Sequence, residues 1–452
     1  MAKKVVIIGG GVAGVDVLEL LLRGKEDSED LEITLLKKEK EGFFSMCGSP
    51  YALQGMYSLE VLDQFHPDLY RDQGIDFRTE TKVIGISLKE QSVRLESGEE
   101  ISYDYLVIAT GSKPFIPSIP GIDLEGVHTL SSREDGELIS AALNAGEISS
   151  SLVIGGGWIG LQAAIAFSRR GFKTTVVERF PYLIPSLLDA DMSSIVRDHL
   201  ADDITSLLGR TVEAIRGVRH VESVVVGGEE LPADMVLISA GMRPDVNLVK
   251  DSGIDIGASG GIMTNRSLRA KKWGSHLDNV FALGDCVEVI DAVTFGPRLS
   301  QLASTALIQA RVVADNILGK GASYEPCLSP AVANLSGLQV GSVGITSETA
   351  RRFGIPVKAG TSARFTKARF FPDKKRIIAR LIFDAASERL IGGQIISEET
   401  VAERINEITL GIKAGITARE IWMRERCFDP SLAMVEDVLV DAAIRAKADH
   451  PH

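Results

Sequence analysis

The sequence has few cysteines, no long uninterrupted apolar segment and no excess of positive charge, and each shortage excludes a class of protein. Its four cysteines are widely spaced without a CxxC pair, unlike a disulfide-rich secreted scaffold: Cys47, Cys286, Cys327 and Cys427. The apolar run at 152–167 is broken by glycines and is shorter than the ~20 residues that a membrane-spanning helix needs. The formal net charge of −12 argues against a broad surface for phosphate backbones or anionic lipid. We therefore expect neither a nucleic-acid partner nor a membrane partner.

The composition that remains is that of a folded globular protein. Of the 452 residues, 45% are hydrophobic and 24% are charged. A typical domain size of roughly 100–200 residues predicts about three domains. The apolar stretch after Lys3 and Lys4 resembles an export signal, but Gly9 and Asp16 interrupt it early. We expect a cytoplasmic protein with reduced thiols.

One segment of the sequence occurs twice. The stretch at 6–14 returns at 152–160, and in both copies a β-branched apolar run leads into GxGxxG, a helical pattern and a second apolar run. This order predicts two βαβ units whose glycine turns each hold a dinucleotide pyrophosphate at a helix N-terminus. The first motif comprises Gly9, Gly11 and Gly14 with Val12 and Ala13 between them, and the second comprises Gly155, Gly157 and Gly160 with Trp158 and Ile159.

The residue after each second apolar run differs between the two copies. In such units an acidic residue accepts the adenosine ribose hydroxyls, and Glu178 stands there in the second copy. A carboxylate repels a 2′-phosphate and favours NADH, although Arg179 beside it weakens that preference and leaves NADPH possible. The first copy has Lys37, followed by Lys38 and Glu39. Either Glu39 substitutes for the missing acid or Lys37 holds the ribose differently.

Three later segments complete the pattern. Apolar runs lead into Ala109-Thr110-Gly111 and into Gly284-Asp285, and the second unit ends in a run that exits at Gly241. A long amphipathic helix is predicted over 300–318. Beyond Tyr324 the pattern changes to strands, predicted over 339–345, 376–383 and 390–396, and helices, predicted over 400–414 and 431–447.

Together these segments resemble the FAD-dependent pyridine nucleotide-disulfide oxidoreductases over essentially the whole chain. The resemblance implies an α/β fold with two Rossmann-like domains, one for FAD and one for NAD(P)H, and a C-terminal α+β dimerisation domain. The implied boundaries are 1–115 and 245–323 for the FAD-binding domain, 116–244 for the NAD(P)H-binding domain and 324–452 for the dimerisation domain of a homodimer.

The resemblance also implies the cofactor contacts, in which Asp285 holds the flavin ribityl chain and Gln301 to Ala303 lie near the flavin ring. The FAD contacts are Gly9, Gly11, Val12, Ala13, Gly14, Lys37, Lys38, Glu39, Val83, Ala109, Thr110, Gly111, Gly284, Asp285, Leu302 and Ala303. Those to NADH are Gly155, Gly157, Trp158, Ile159, Gly160, Gln162, Glu178, Arg179 and Gly241. Trp158 is interpreted equally well as a cover over the flavin or as a core tryptophan. No metal site is expected.

Cys47 selects a branch of this family. The CxxxxC pair of the lipoamide and glutathione reductases is absent because Ala52 stands at the second position, so the chain resembles the single-cysteine branch. That branch contains coenzyme A disulfide reductases, NADH oxidases and peroxidases, and polysulfide or persulfide reductases. Pro50 suits the first turn of a helix, which places Cys47 at a helix N-terminus and predicts a lowered thiol pKa. A buried, unreactive cysteine is the alternative.

Two departures from the branch narrow the expected chemistry. Val12 replaces the histidine of the enzymes that reduce peroxide or oxygen to water. Arg23 matches a coenzyme A contact, but Phe428, Leu432 and Glu436 replace the tyrosines and lysine of the partner subunit's C-terminal segment. Cys427 in that segment is either a second redox thiol or incidental.

These residues predict a catalytic Cys47 that reduces a small disulfide, persulfide or polysulfide with electrons from NADH through FAD. The alternatives are an NADH oxidase that forms hydrogen peroxide and an electron-transfer reductase for a small redox protein.

Overall fold

The computed structural model describes residues 2–24, 31–146 and 149–447. Its α-helices are α1 Val12–Gly24, α2 Ser49–Leu53, α3 Asp68–Arg71, α4 Arg133–Ala145, α5 Trp158–Arg169, α6 Ala190–His199, α7 Ala303–Ile317, α8 Ser347–Arg352, α9 Val401–Ala414, α10 Ala418–Met423 and α11 Val438–Lys447. Short 3₁₀ helices cover Met46–Gly48, Leu59–Leu62, Asn247–Val249 and Gly284–Cys286. None of the described helices is long and apolar enough to cross a membrane.

The β-strands are mostly short. In chain order they are β1 Lys3–Ile8, β2 Leu31–Leu36, β3 Phe43–Phe44, β4 Asp63–Phe65, β5 Asp76–Arg78, β6 Val83–Ser87, β7 Ser92–Leu95, β8 Glu100–Ser102, β9 Tyr105–Ile108, β10 Ser112–Pro114, β11 Val127–His128, β12 Ser150–Ile154, β13 Lys173–Glu178, β14 Thr205–Leu208, β15 Val212–Arg216, β16 Ser223–Val226, β17 Glu229–Pro232, β18 Met235–Ile238, β19 Met242–Pro244, β20 Arg269–Lys272, β21 Ser275–Ala282, β22 Val289–Ile290, β23 Pro297–Arg298, β24 Ala331–Leu335, β25 Leu338–Gly344, β26 Val357–Phe365, β27 Arg376–Asp384 and β28 Leu390–Ser397.

The chain forms two compact units. Unit 1 comprises Met1–Phe115, Ser131–Gly136 and Gly241–Cys327, and unit 2 comprises Ile116–Leu130, Glu137–Ala240 and Leu328–His452. Each contains one of the two repeated glycine turns.

Unit 1 is built on a six-stranded sheet in the order β20-β21-β9-β1-β2-β5. Strands β1, β2, β5, β9 and β21 run parallel, and β20 joins the edge antiparallel. The central strands are apolar on both faces, as a covered parallel sheet requires. Helices α1 and α7 pack together over one face through a core that includes Leu18, Leu21 and Val313. The carboxyl ends of β1, β9 and β21 therefore meet at one sheet edge, which is where such folds bind ligands.

Unit 2 contains two further sheets. The first is fully parallel in the order β11-β18-β12-β13-β14 and carries the second glycine turn after β12. The second is antiparallel in the order β24-β25-β28-β27-β26, and α9 and α11 pack against it. Asp189, at the N-cap of α6, accepts from Arg380 Nε at 2.6 Å and from Ser347 Oγ at 2.8 Å, so an ion pair joins the two parts of this unit.

The predicted α/β class with two Rossmann-like sheets and a C-terminal α+β region is confirmed. The helix predicted over 431–447 is partly wrong, because regular helix begins at Val438. The Asp437 carboxylate accepts the backbone N–H of Leu439 at 2.9 Å and pairs with Arg404, so it acts as a cap at this point.

Candidate functional site

In the first glycine turn, one position faces open space and the other two are packed against the protein backbone. Gly9 has φ +109°, and a Cβ there would collide with the carbonyl oxygen of Ala109, while a Cβ at Gly14 would collide with that of Gly9. A Cβ at Gly11 would meet nothing within 4 Å. The flanking glycines are therefore required by the protein itself, whereas Gly11 keeps a space open at the N-terminus of α1, as a pyrophosphate site needs.

The second turn repeats this geometry. Gly155 has φ +113°, a Cβ at Gly160 would collide with the Gly155 carbonyl, and Gly157 again faces open space. Here Glu178 adds a carboxylate that is 6% exposed, with Oε2 accepting Gly156 N–H at 2.7 Å and Oε1 accepting Phe180 N–H at 2.9 Å. These two bonds hold the carboxylate beside the glycine turn.

Lys37 takes the matching place in the first unit but makes different contacts. Its side chain is 6% exposed, and its ammonium donates to the Gly42 carbonyl at 3.1 Å and lies 3.7 Å from Glu41. Burial lowers the pKa of Lys37, and Glu41 opposes this effect.

Asp285 lies in the 3₁₀ turn at the end of β21, within unit 1. Ser112 Oγ donates to its Oδ2 at 2.8 Å, and burial raises the pKa of Asp285 while that hydrogen bond opposes the rise. At the end of β9, Thr110 Oγ1 donates to the Asp245 carbonyl at 2.7 Å and Gly111 adopts φ +71°. The sheet thus brings together Asp285, Thr110 and the first glycine turn, which lie far apart in the sequence.

Cys47 lies in the 3₁₀ turn Met46–Gly48, directly before α2, so the predicted helix start is found but the helix is only five residues long. Tyr57 Oη donates to the Gly48 carbonyl at 3.1 Å and fixes the turn. Ser49 is fully buried, and its Oγ finds no hydrogen-bond partner among the described residues.

The prediction of a lowered Cys47 pKa is wrong for this arrangement. Burial raises the pKa of the Cys47 thiol, the Asp285 carboxylate raises it further, and a backbone hydrogen bond provides the opposing effect. Cys47 is nevertheless an exposed residue. The two observations are compatible, because accessibility describes one open side of the residue whereas the pKa responds to the protein packed around the other sides.

Helix α7 carries the predicted flavin segment at its start and, further along, one buried residue that sequence reasoning missed. Leu302 is the N-cap and Ala303 the first helical residue, as expected for the predicted flavin segment. Gln309, completely buried one and a half turns further on, accepts the backbone N–H of Gly284 through Oε1 at 2.7 Å. It therefore holds the Asp285 turn against α7. A glutamine on the apolar face of a helix was the available signal, as the hydroxyl directly after Gly111 was for Ser112.

The remaining predicted cofactor residues occupy defined positions. Val83 begins β6 and is half-buried, Trp158 begins α5 and is half-buried, and Ile159 is exposed. The indole Nε1 of Trp158 is buried with no hydrogen-bond partner among the described residues. Arg179 stacks over the Phe180 ring at 4.8 Å, and Gly241, at φ +114°, belongs to unit 1. Gln162 lies half-buried on α5, while Lys38 is exposed and Glu39 half-buried beside it.

The predicted substrate residues do not come together in one unit. Arg23 lies in the last turn of α1 in unit 1 and pairs with Glu19 at 3.1 Å. Cys427 and Phe428 belong to unit 2, in the irregular segment between α10 and α11, where both are exposed. Leu432 is also exposed, and Glu436 accepts from Arg364 at 3.1 Å.

The site residues fit two dinucleotides, because each unit offers an open glycine position at a helix N-terminus beside a parallel sheet edge. A buried amide on the predicted flavin segment, Gln301 Nε2, also has no partner among the described residues. The pyridine nucleotide-disulphide oxidoreductase model matches residues 3–310, and the dimerisation-domain model of the same family matches residues 330–438. The chain belongs to this family, and it is an FAD- and NAD(P)H-dependent oxidoreductase.

Two curated relatives match nearly the whole chain. An NADH oxidase of Methanocaldococcus jannaschii is 35% identical over 97% of this chain and 98% of its own length. A CoA-dependent NAD(P)H sulfur oxidoreductase of Pyrococcus furiosus is 31% identical over 97% of this chain and 98% of its own length.

Among solved structures, the NAD-dependent persulfide reductase from A. fulgidus superposes with a TM-score of 0.93 at 29% identity. The match covers 98% of this chain and 83% of the other.

Proposed function

We propose that this protein reduces a small disulfide, persulfide or polysulfide, with Cys47 as its single redox-active cysteine. The observation that carries the proposal is the placement of Cys47: an exposed residue whose thiol is close enough to Asp285 for that carboxylate to affect its pKa. The relatives named for sulfur and persulfide reduction support this substrate class.

The other cysteine near Asp285 does not compete for this role. Cys286 is completely buried, its Sγ donates to the Leu283 carbonyl at 3.2 Å, and burial raises its pKa to about 11. It is therefore a protonated structural thiol at neutral pH. Cys47 has no CxxxxC partner, because residue 52 is alanine.

The proposed reaction begins at the Cys47 sulfur. Its thiolate attacks the substrate S–S bond, a new S–S bond forms to Cys47, and a thiolate or hydrosulfide leaves and takes up a proton. Two electrons, which bound FAD would supply after receiving them as hydride from NAD(P)H, would then cleave the new S–S bond. Cys47 returns to the thiolate, and the second substrate sulfur leaves as a thiolate or hydrosulfide and takes up a proton. Burial and the Asp285 carboxylate both disfavour the Cys47 thiolate. We therefore infer that binding of FAD or of the substrate weakens one or both of these effects.

We assign FAD to segments 1–115 and 245–323 and NAD(P)H to segment 116–244. The contact residues are those predicted above except Lys37, whose ammonium pairs within its own loop. NADH is the favoured donor, because the Glu178 carboxylate is held in place by two backbone N–H groups beside the second glycine turn. Arg179 keeps NADPH as the second donor. Segment 324–452, whose family model is a dimerisation domain, forms the homodimer contacts. We place the protein in the cytoplasm, where reducing conditions keep Cys47 available.

An NADH oxidase that forms hydrogen peroxide is the second candidate. The 35% identical relative named NADH oxidase favours it. In that case oxygen takes the electrons directly and Cys47 is a spectator.

The Cys47→Ser variant separates the two functions. We expect it to lose disulfide and persulfide reduction while it retains FAD and NADH-to-dye activity, because the serine hydroxyl cannot form the intermediate S–S bond. Cys427→Ser provides the comparison with another exposed thiol, and full sulfur reduction in that variant assigns the reactivity to Cys47. Sulfur reduction that survives in Cys47→Ser contradicts the proposal, and unchanged oxygen consumption faster than any sulfur reduction supports the oxidase.

An anaerobic titration with NADH provides a spectroscopic test. A long-wavelength thiolate-to-flavin charge-transfer band is expected in the native protein and not in Cys47→Ser. If the native protein shows no such band, the thiolate does not face the flavin.

A further inference from the structure

We propose that Lys37 is a positioning residue that ties the first glycine turn to the chain segment carrying Cys47, in place of the ribose contact expected at this position. The inference rests on the proposed function only in taking Cys47 as the reactive sulfur. Three sets of contacts in unit 1 support it.

The stem of Lys37 packs against the glycine turn. A Cβ added at Gly10 would lie 2.6 Å from Cδ of Lys37 and 3.2 Å from its Cγ. The methylenes therefore occupy the space beside Gly10 that a larger residue in the turn would need. Lys37 N–H also donates to the Arg78 carbonyl at 2.9 Å, which fixes the backbone at the end of β2.

The ammonium of Lys37 is committed to the loop that follows β2. It donates to the Gly42 carbonyl at 3.1 Å and lies 3.7 Å from Glu41, whose side chain is 15% exposed. A buried ammonium requires such partners, because an unpaired charge away from water is costly. The pairing closes the loop from 37 to 42 on itself and directs the charge away from the carboxyl end of β2.

Short contacts then connect Gly42 to Cys47. A Cβ at Gly42 would collide with the Phe65 carbonyl, so Gly42 lies tightly against β4. The next residues form β3, which pairs with β4, and Ser45 N–H donates to the Leu62 carbonyl at 2.9 Å. The turn that holds Cys47 begins at the following residue. A displacement of Gly42 is therefore transmitted towards Cys47 through Phe43, Phe44 and Ser45, each of which is paired with the segment at 62–65.

The test measures three properties of the Lys37→Met holoenzyme beside those of the native protein. These are the rate of Cys47 alkylation by iodoacetamide, followed by peptide mass mapping, the FAD dissociation constant and the thermal midpoint. Methionine keeps a similar stem against Gly10 and removes the ammonium, so we expect Cys47 alkylation to change about threefold or more with FAD affinity within about twofold. The matched control is Lys40→Met, an exposed lysine in the same loop, for which all three values should stay at the native level.

Lys37→Glu distinguishes a positioning role of Lys37, through its pairing with Glu41 and Gly42, from a contact with the ribose. Glutamate restores the acid that accepts ribose hydroxyls, but it replaces the ammonium that pairs with Glu41 and the Gly42 carbonyl oxygen by a negative charge. We expect lower thermal stability and an altered Cys47 alkylation rate. Tighter FAD binding with native alkylation would overturn the proposal.

Two results with Lys37→Met would also overturn it. A tenfold loss of FAD affinity would show that Lys37 contacts the cofactor. An unchanged alkylation rate would show that Cys47 does not depend on the pairing of Lys37 with Glu41 and Gly42. Neither result bears on the role of Cys47 itself, which the Cys47→Ser variant tests separately.

Discussion

The two glycine turns of this protein have nearly the same backbone and opposite charges beside it. In both, the first glycine adopts a positive φ, the third packs against the first and the second faces open space. In the second turn the neighbouring side chain is Glu178, which accepts two backbone N–H groups. In the first turn it is Lys37, whose ammonium points into its own loop.

The comparison shows which parts of a dinucleotide site are fixed by the fold and which are open to change. The fold fixes the two outer glycines of each turn, because a Cβ at either outer position would collide with a backbone carbonyl. The residue at the end of the second strand can vary, because its contacts are made by a side chain that has other partners within reach. In the first unit the carboxylate near the glycine turn comes instead from the half-buried Asp285, in the 3₁₀ turn that follows β21.

The largest effect is expected from making the second unit resemble the first, with Glu178→Lys. Two backbone N–H groups lose a charged acceptor, so stability should fall by about 2–3 kcal/mol. NADH affinity should fall by tenfold or more, as an effect of about 1.4 kcal/mol or more. Denaturant unfolding measures the stability, and NADH titration measures the affinity. Glu229→Lys, the same charge change at an exposed position of unit 2, is the control. Native NADH affinity in Glu178→Lys would show that the two turns do not differ in function.

A smaller and more selective effect is expected from adding one methyl group at each open glycine. Gly11→Ala should weaken FAD binding and Gly157→Ala should weaken NADH binding, each by about tenfold, because the methyl group occupies the space needed by the pyrophosphate. The thermal midpoint of each apoprotein should stay close to the native value, since neither methyl group meets a protein atom within 4 Å. Cofactor titration and thermal unfolding test this. If Gly11→Ala weakens NADH binding and not FAD binding, the assignment of cofactors to units is reversed.

The smallest effect is expected from Asp285→Asn in the apoprotein. Burial raises the folded-state pKa of Asp285, so the folded state holds this proton more tightly than the unfolded state. The resulting stabilisation is complete below the ordinary aspartate pKa and is lost as pH rises through the raised value. Asparagine removes this loss, so the variant should be more stable than the native apoprotein at pH 7, by about 0.5–1 kcal/mol. Denaturant unfolding of both apoproteins at pH 4 and pH 7 measures this effect. The prediction is contradicted if the stability difference between variant and native protein is the same at both pH values.

Much of the fold could be predicted because it depends on local patterns. The strands predicted over 376–383 and 390–396 were found within one residue at each end, as β27 and β28. Strands β24 and β26 were missed; they are the two edge strands of the antiparallel sheet and pair with β25 and β27. The start of α11 was misplaced, because the pairing of Asp437 with Arg404 is a contact between distant segments.

The candidate site was predicted less completely than the fold. The glycines, Asp285 and Cys47 were identified by motif, whereas Ser112, Gln309 and Tyr57 were not, because their hydrogen bonds join segments that no motif connects. The specific cofactor contacts remain predictions.

The sequence by itself determined that the protein has two βαβ units and a single cysteine, without a CxxxxC partner, before a helix start. These features follow from glycine spacing, apolar periodicity and the order of neighbouring residues, which are local properties. The tertiary structure decided the chemical state of the side chains beside those motifs. The pKa of Cys47 is raised where the helix start predicted a lowered value, since burial and Asp285 outweigh a helix of five residues. Lys37 points into its loop because Gly42 and Glu41 satisfy a buried charge there. Both outcomes depend on distances between residues that the order of the sequence does not contain.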